Sequence, residues 1–299
     1  MLEEKFENKD ALTPAFGNAS DLIDTEILRE RLKSSHNNQV DQLAFARARL
    51  FDVLISDFDR HEGQWNWAEY AGNPDGRIYK PVPKDRDYAY YQYTDGLIPW
   101  LLTRRFLVGR IKSFIHNIPD VGGIIYKARE LDKQFLNQVS AAEWDQAARE
   151  LQTALNPAVI KQAIAEFPDS VYQLVGKKTE QKLNKRVEQL PRIAAEFYKI
   201  LAENVTVMGS DKKEQFRVQP GADQTTLVEV FTWTENNQAT PTRLYHRVFR
   251  YPETKKIILN GLGGNDEFKV DGQPKRGPKI IISGSSGEDK IVEGPGQRK

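Results

Sequence analysis

The stretch DQLAFARARLFDVLISDFDRHEGQ, residues 41–64, decides how the rest of the chain is read. Its first part, Asp41 to Ile55, sets Leu43, Ala46, Leu50, Val53 and Leu54 at helical spacing, which predicts an amphipathic helix with one apolar face. Its second part, Ser56 to Gln64, is polar and dense in charge. A buried helix thus delivers a charged loop to a fixed place.

Beyond Gly63 the chain turns aromatic, with Trp65, Trp67, Tyr70, Tyr79, Tyr88 and Tyr90 among Gly, Pro and Asp. Asn73-Pro74-Asp75-Gly76 is a turn signal, so Trp65–Tyr70 and Arg77–Val82 are predicted to be the two strands of a hairpin. Upstream, residues 1–39 read as a lead-in segment in which Asp24 or Thr25 caps a short helix running to Lys33. Downstream, the pattern is helical from Ile98 to Asn204. Ser140 with Glu143 forms a capping box, Pro157 opens the next helix, and Pro191 interrupts a periodic stretch from Lys178 to Glu203.

At Val205 the pattern changes to short β-branched and aromatic runs, among them Thr225–Thr232 and Arg243–Phe249, divided by Gly, Pro, Asn and Asp. The expected fold class is therefore α+β: a mostly helical domain over residues 40–204, then a small all-β domain over residues 205–299, built as a sandwich or a short β-roll. The β domain contains an echo. Gly261-x-x-Gly264-x-Asp266-x-Phe268 returns as Gly284-x-x-Gly287-x-Asp289-x-Ile291, at one offset of 23 residues throughout. Equal offsets predict equivalent turns, with Phe268 and Ile291 in one inward-facing row.

The 299 residues carry 43 Lys and Arg against 42 Asp and Glu, a net charge of +1, so no global field gathers nucleic acid and none is expected as a partner. The absence of Cys excludes a disulfide scaffold and Cys-based zinc sites. No run of 18 apolar residues suggests a membrane span, and the first residues lack the pattern of a signal peptide. Three sharper motifs fail on spacing. Trp65 stands where the second His of a His-Glu-x-x-His zinc site belongs; Gly176-Lys177-Lys178-Thr179 lacks the upstream Gly of a P-loop; and Gly261–Gly264 precedes a strand rather than a helix. His36, His116 and His246 are scattered and read as surface or packing residues, and the mixed-charge stretch Lys177–Arg186 as a solvated helix face.

A phosphoryl-transfer site needs a carboxylate beside the attacking hydroxyl and oxygen ligands that hold a divalent metal against the nucleotide phosphates. Asp59 and Gln64 have the spacing of such a loop, and the hairpin returns the chain so that Asp85 and Asp87 can face the same metal. The same residues, Asp57, Asp59, Arg60, His61 and Asp85, are equally those of a buried ion-pair network that fixes a helix–loop–hairpin corner. Trp65, Trp67 and Trp100 are read as core.

The motifs Asp59-Arg60-His61-Glu62-Gly63-Gln64 and Pro83-Lys84-Asp85-Arg86-Asp87-Tyr88 resemble those of the atypical kinase-like fold of CotH and HipA type, over roughly residues 40–200. The resemblance implies a kinase-like C-lobe in which Asp59 is the catalytic Asp, Gln64 and Asp85 hold Mg or Mn with ATP, Arg60 and Arg86 orient the carboxylates and the nucleotide, and Asp87 supports the metal ligands. Gln64 stands where the family has Asn, and the segment before residue 41 contains no Gly-rich loop or strand meander that would serve as an N-lobe. The combination with the β segment is similar to the middle of large Bacteroidetes-type surface proteins, which pair a metallophosphoesterase with an outer-membrane surface-antigen barrel. That implies an extracytoplasmic place, outer-membrane associated or periplasmic, and neighbouring domains of a longer chain as partners. The function expected is a phosphotransferase remnant acting on an acceptor that the sequence does not name, or a non-catalytic scaffold between the two flanking domains. The paired Gly-x-x-Gly-x-Asp units resemble the calcium-binding repeat of RTX β-rolls, which implies Ca at Asp266 and Asp289; the alternative is a pair of tight turns with solvated Asp side chains.

Overall fold

A computed structural model describes residues 17–72, 76–92, 113–234, 240–272 and 277–293. The first part of the lead-in, the centre of the hairpin turn, Ile98, Trp100 and the basic tail residues 274–276 and 294–299 lie outside the described residues. The architecture is α+β, with a helical body followed by a β unit.

The lead-in segment is part of the fold. β1 (Asp21–Asp24) pairs antiparallel with β3 (Trp65–Ala71), and α1 (Thr25–Ser34) starts at Asp24, whose side chain accepts from the Ile27 N–H at 2.9 Å. The two-residue strand β2 (Gln39–Val40) then leads to α2 (Gln42–Leu54), capped by Asp41 through the Ala44 N–H. β3 and β4 (Arg77–Pro83) form the expected hairpin, in a four-stranded sheet of order β1-β3-β4-β2. Phe45 of α2 meets Trp65 edge-on with ring centroids 4.9 Å apart and Trp67 at 5.2 Å, so both tryptophans belong to the core as expected.

Further helices follow: α3 (Val121–Ile124), α4 (Arg129–Phe135), α5 (Ala141–Ala154), α6 (Pro157–Ala165), α7 (Lys177–Glu188) and α8 (Leu190–Ala202); of these α5, α7 and α8 pack against α2. The capping box of Ser140 and Glu143 is present, Asn156 caps α6 with Pro157 just inside, and Pro191 lies in the first turn of α8, where its missing N–H costs nothing. Trp144 of α5 stacks on Phe197 of α8 at 4.6 Å, joining these helices over the core.

The β unit is a short parallel coil of three rungs. β5 (Asn204–Met208), β9 (Lys256–Asn260) and β11 (Lys279–Ser283) lie side by side in one parallel sheet. β6 (Glu214–Pro220), β10 (Glu267–Val270) and β12 (Lys290–Glu293) do the same in another, which β7 (Thr225–Thr232) and β8 (Arg243–Arg250) extend by antiparallel pairing. Each rung is strand, turn, strand. The expected repeat therefore forms the second and third rungs, and a first rung, β5 and β6 joined by the turn Gly209 to Glu214, precedes them.

Repetition of side chains follows from this register. Phe216, Phe268 and Ile291 occupy one row, and the Phe216 and Phe268 rings stack at 4.7 Å. Ile291 shares the row but is 59% exposed, because among the described residues no further rung covers it. In the turns, the Glu214 N–H donates to Asp266 Oδ1 at 2.8 Å and the Asp266 N–H donates to Asp289 Oδ1 at 2.9 Å. Each acid thus ties its own turn to the rung before it. The second carboxyl oxygen folds over the glycine that opens the same turn, and a Cβ at Gly261 or Gly284 would collide with it.

Gly261→Ala is therefore expected to cost roughly 1–3 kcal/mol by overpacking. The cost will be read as a lower urea midpoint with an unchanged slope; an unaltered midpoint would show that the carboxyl has room to move aside.

Candidate functional site

The loop that α2 delivers is built from local backbone constraints. Ser56 takes the left-handed region at φ 58°, the Asp57 N–H returns to the Asp52 carbonyl at 2.9 Å, and the chain runs on to a single 3-10 turn at Glu62–Gln64. His61 caps that turn: its Nδ1 accepts from the Gly63 N–H at 3.1 Å, and its own N–H donates to Gln64 Oε1 at 3.3 Å. The Lys84 N–H donates to the Gln64 carbonyl at 3.0 Å and the Tyr90 N–H to the Ile55 carbonyl at 2.9 Å, so the strand leaving the hairpin closes the corner.

Inside this corner lies a largely buried ionic network. Arg49 binds Asp132 through two bonds, 2.7 and 3.0 Å, and reaches Asp52 at 2.8 Å. Arg60 binds Asp57 at 2.7 Å, approaches Asp52 at 3.2 Å, and donates to the carbonyls of Gln64 and Lys84. Arg86 adds a 3.3 Å contact to Asp52 while its guanidinium lies 5.0 Å from the Phe51 ring centre. Arg49, Arg60, Asp52, Asp57 and Asp132 are all buried, Arg86 partly so. Within this network three guanidiniums face three carboxylates, so each buried charge has a counter-charge.

Burial still acts on the acids. Desolvation pushes Asp57 and Asp132 up to about 6, against the pull of Arg60 and Arg49 respectively. Arg186 of α7 secures the other side: it donates to the carbonyls of Val53 and Ile115 at 2.8 Å and to Ser56 Oγ at 2.7 Å. Burial lowers its pKa to about 9, so it carries its charge to the C-terminal end of α2 at neutral pH, where the helix dipole favours a cation.

The candidate residues divide accordingly. Arg60 is fully buried and engaged, and Arg86 is turned toward Asp52. Asp59 is partly exposed and pairs with Lys127. Gln64 and Asp85 come together, with Gln64 Nε2 donating to Asp85 Oδ2 at 3.1 Å, and Asp85 is exposed in the left-handed region at φ 55°. Asp87 is exposed. Among the described residues no three His, Asp or Glu side chains form a group that could hold a metal ion. Asp59, Asp85 and Asp87 therefore do not converge as a carboxylate set, and Asp266 and Asp289 each use one oxygen to accept a neighbouring rung's N–H.

Two features escaped the sequence reading. Arg49 and Asp52 sit three residues apart on the buried face of α2, a pattern that scoring apolar positions alone passes over, while Asp132 arrives from a distant helix with no spacing to betray it. The second feature is the seam between the helical body and the β unit. His36 Nε2 lies 3.0 Å from Ser210 Oγ and in contact with Glu214 Oε1, so this histidine is neither a surface nor a simple packing residue. Beside it opens a cleft of about 470 Å³, lined by Gln42, Gln134, Glu214, Tyr245 and Leu262 among others. The seam also carries a backbone bond from Asp211 N–H to the Lys33 carbonyl at 3.0 Å and a side-chain bond from Asn137 Nδ2 to the Thr206 carbonyl at 3.1 Å.

No family model, no curated protein and no solved structure matches the chain. Among the described residues no helix is long and apolar enough to cross a membrane.

Removing Arg60 leaves Asp57 and its share of Asp52 buried without a partner, so Arg60→Ala is expected to cost about 3–5 kcal/mol. Asp59→Asn breaks only a partly exposed pair with Lys127 and should change stability by less than about 1 kcal/mol. Urea denaturation of both variants checks the contrast; equal losses would contradict it.

Proposed function

We propose that this chain is a non-catalytic scaffold module that holds neighbouring domains of a longer chain at a fixed mutual orientation. The observation that carries the reading is the internal pairing of the loop residues: Arg60 is sealed among Asp57, Asp52 and two carbonyls, Arg86 faces Asp52, and Asp59 is held by Lys127. A catalytic loop keeps its charged groups available to substrate and metal, whereas these are paired with other side chains of the chain. The seam supports the same reading, because hydrogen bonds join α1, the α4–α5 connection and Glu203 after α8 to the first rung, to β8 and to the start of β9. The setting suggested by the sequence, between a metallophosphoesterase and an outer-membrane barrel, gives such a module an extracytoplasmic place.

A second reading, a metal- and nucleotide-dependent phosphotransferase, is favoured by one contact, that between Gln64 and Asp85. Asp85 is presented to solvent from a strained backbone conformation, and such strain gathers at functional sites. In that reading Asp85 and Gln64 hold Mg or Mn with ATP, Arg86 orients the phosphates, Asp87 supports the ligands and Asp59 orients the acceptor hydroxyl. Gln64 as placed turns its amide nitrogen toward Asp85 and uses its oxygen on the His61 N–H, so ligation by the oxygen requires the amide to flip.

Titration calorimetry of the whole chain with ATP and Mn²⁺ at millimolar concentrations decides between them. The scaffold reading predicts no saturable heat and no ATP turnover. Saturable binding lost in Asp85→Ala, with turnover lost in Asp59→Asn, would establish the second reading in its place.

A further inference from the structure

The carboxyl groups at the seam form a column whose hydrogen bonds do not balance if all are ionised. Glu214 is wholly buried; its Oε1 meets the Ser210 hydroxyl and His36 Nε2, and its Oε2 accepts from the Ser210 N–H at 3.2 Å. Asp266, 1% exposed, stands on the next rung and accepts the Glu214 N–H with Oδ1. Its Oδ2 is buried against Gly261 with no donor in reach. A buried carboxylate oxygen with no donor is costly, and a second carboxylate beside it raises that cost.

We propose that Asp266 carries a proton that it donates to Glu214, and that this shared proton fastens the first two rungs together and, through His36, to the helical body. Protonation turns the bare oxygen into a donor, and the carboxyl on the adjoining turn is that of Glu214: its Oε2 lies against Gly209, which the Gly261 carbonyl also approaches, while Asp266 Oδ2 lies against Gly261 itself. The other titratable groups facing the pair are Asp289 from the third rung and His36 from the connection between α1 and β2. Asp289 adds negative charge and favours the proton on Asp266, while His36 lies beyond Glu214 and steadies the carboxylate that accepts. Burial, then the neighbouring Glu214 and Asp289, push Asp266 up to about 7, with the Glu214 N–H acting in the opposite direction.

The sign of the effect follows from that rise. An acid that binds its proton more tightly when folded contributes stability that is complete below the ordinary carboxylate range and is lost as pH rises through the folded value. The seam is therefore firmest in mild acid and loosens above neutrality, where Glu214 and Asp266 repel each other on adjacent rungs. The inference stands on the seam alone and is independent of the function of the corner around Arg60.

Asp266→Asn tests it, because the amide keeps the acceptor for the Glu214 N–H and supplies a permanent N–H where the proton sits. Urea unfolding of the full chain at about pH 6 and about pH 8 should show the wild-type midpoint falling with pH, and the variant losing less than half as much. The variant should be the more stable protein at the higher pH. Carbon-13 titration of the wild-type carboxyl groups gives a readout that depends on no variant folding: Asp266 should titrate near neutrality, and in a folded Glu214→Gln it should titrate lower. A flat wild-type midpoint, an unchanged slope in Asp266→Asn, or an Asp266 carboxyl titrating in the ordinary range in the wild type would each overturn the proposal.

Discussion

The pairing of Arg60 with Asp57 and Asp52 in the buried corner below α2 is the constraint on which the helical body depends. A guanidinium removed from water needs acceptors and a counter-charge, and here the acceptors of both its terminal nitrogens and the counter-charge come from three separate stretches of chain, while Nε stands 3.2 Å from Asp52 without a hydrogen bond. Asp57 belongs to the loop after α2, Asp52 to the helix itself, and the Gln64 and Lys84 carbonyls to the two ends of the hairpin. Arg60 can be satisfied only when helix, loop and hairpin stand in their native relation. Arg49 extends the same requirement to α4 through Asp132, and Arg186 extends it to α7 through the last carbonyls of α2. The charges are worth less as net stability than as a specification of geometry, since an apolar core of equal volume would hold the elements together without choosing their register.

The β unit solves a similar problem by repetition. Its strands add rung on rung, so each turn must approach the next closely, and glycine leaves room for the carboxyl group that ties the turns together. Where the coil meets the helical body, the repeat is altered: Glu214 replaces the Asp of the later rungs, and its longer side chain meets Ser210 of its own turn and reaches His36 across the seam. The first rung is thus the adaptor between a repetitive unit and an irregular one. Both units place acids in protected positions, but the corner matches them with guanidiniums, while at the seam a single imidazole faces the column.

Much of this architecture is legible in the sequence because it is locally encoded. The helical spacing from Leu43 to Leu54, the Ser140 and Glu143 box, the hairpin around Asn73–Gly76 and the constant offset between the two glycine turns are all short-range signals. Three features are not. The strand Asp21–Asp24 is too short to show alternation and forms only because β3 offers it an edge. The first rung escapes notice because the β7–β8 hairpin is inserted after it, which makes its offset to the second rung 52 rather than 23 residues, and because Glu214 and Lys212 stand where the later copies have Asp and Gly. The ionic partners of the corner escape because Asp132 and Arg186 lie far along the chain. The residues Asp57 and Arg60 are visible as a charged loop, but whether they serve chemistry or architecture is decided by partners that no local pattern contains.

The account turns on whether Asp57 and Arg60 act as a single buried unit, and a double-mutant cycle measures that directly. Asp57→Asn, Arg60→Met and the double variant, each unfolded in urea, should give a coupling free energy of about 2 kcal/mol or more, with the double variant losing much less stability than the two single losses combined. Losses that add to within about 0.5 kcal/mol would contradict the account, because they would show that the two side chains do not depend on each other and that the loop is held by other means.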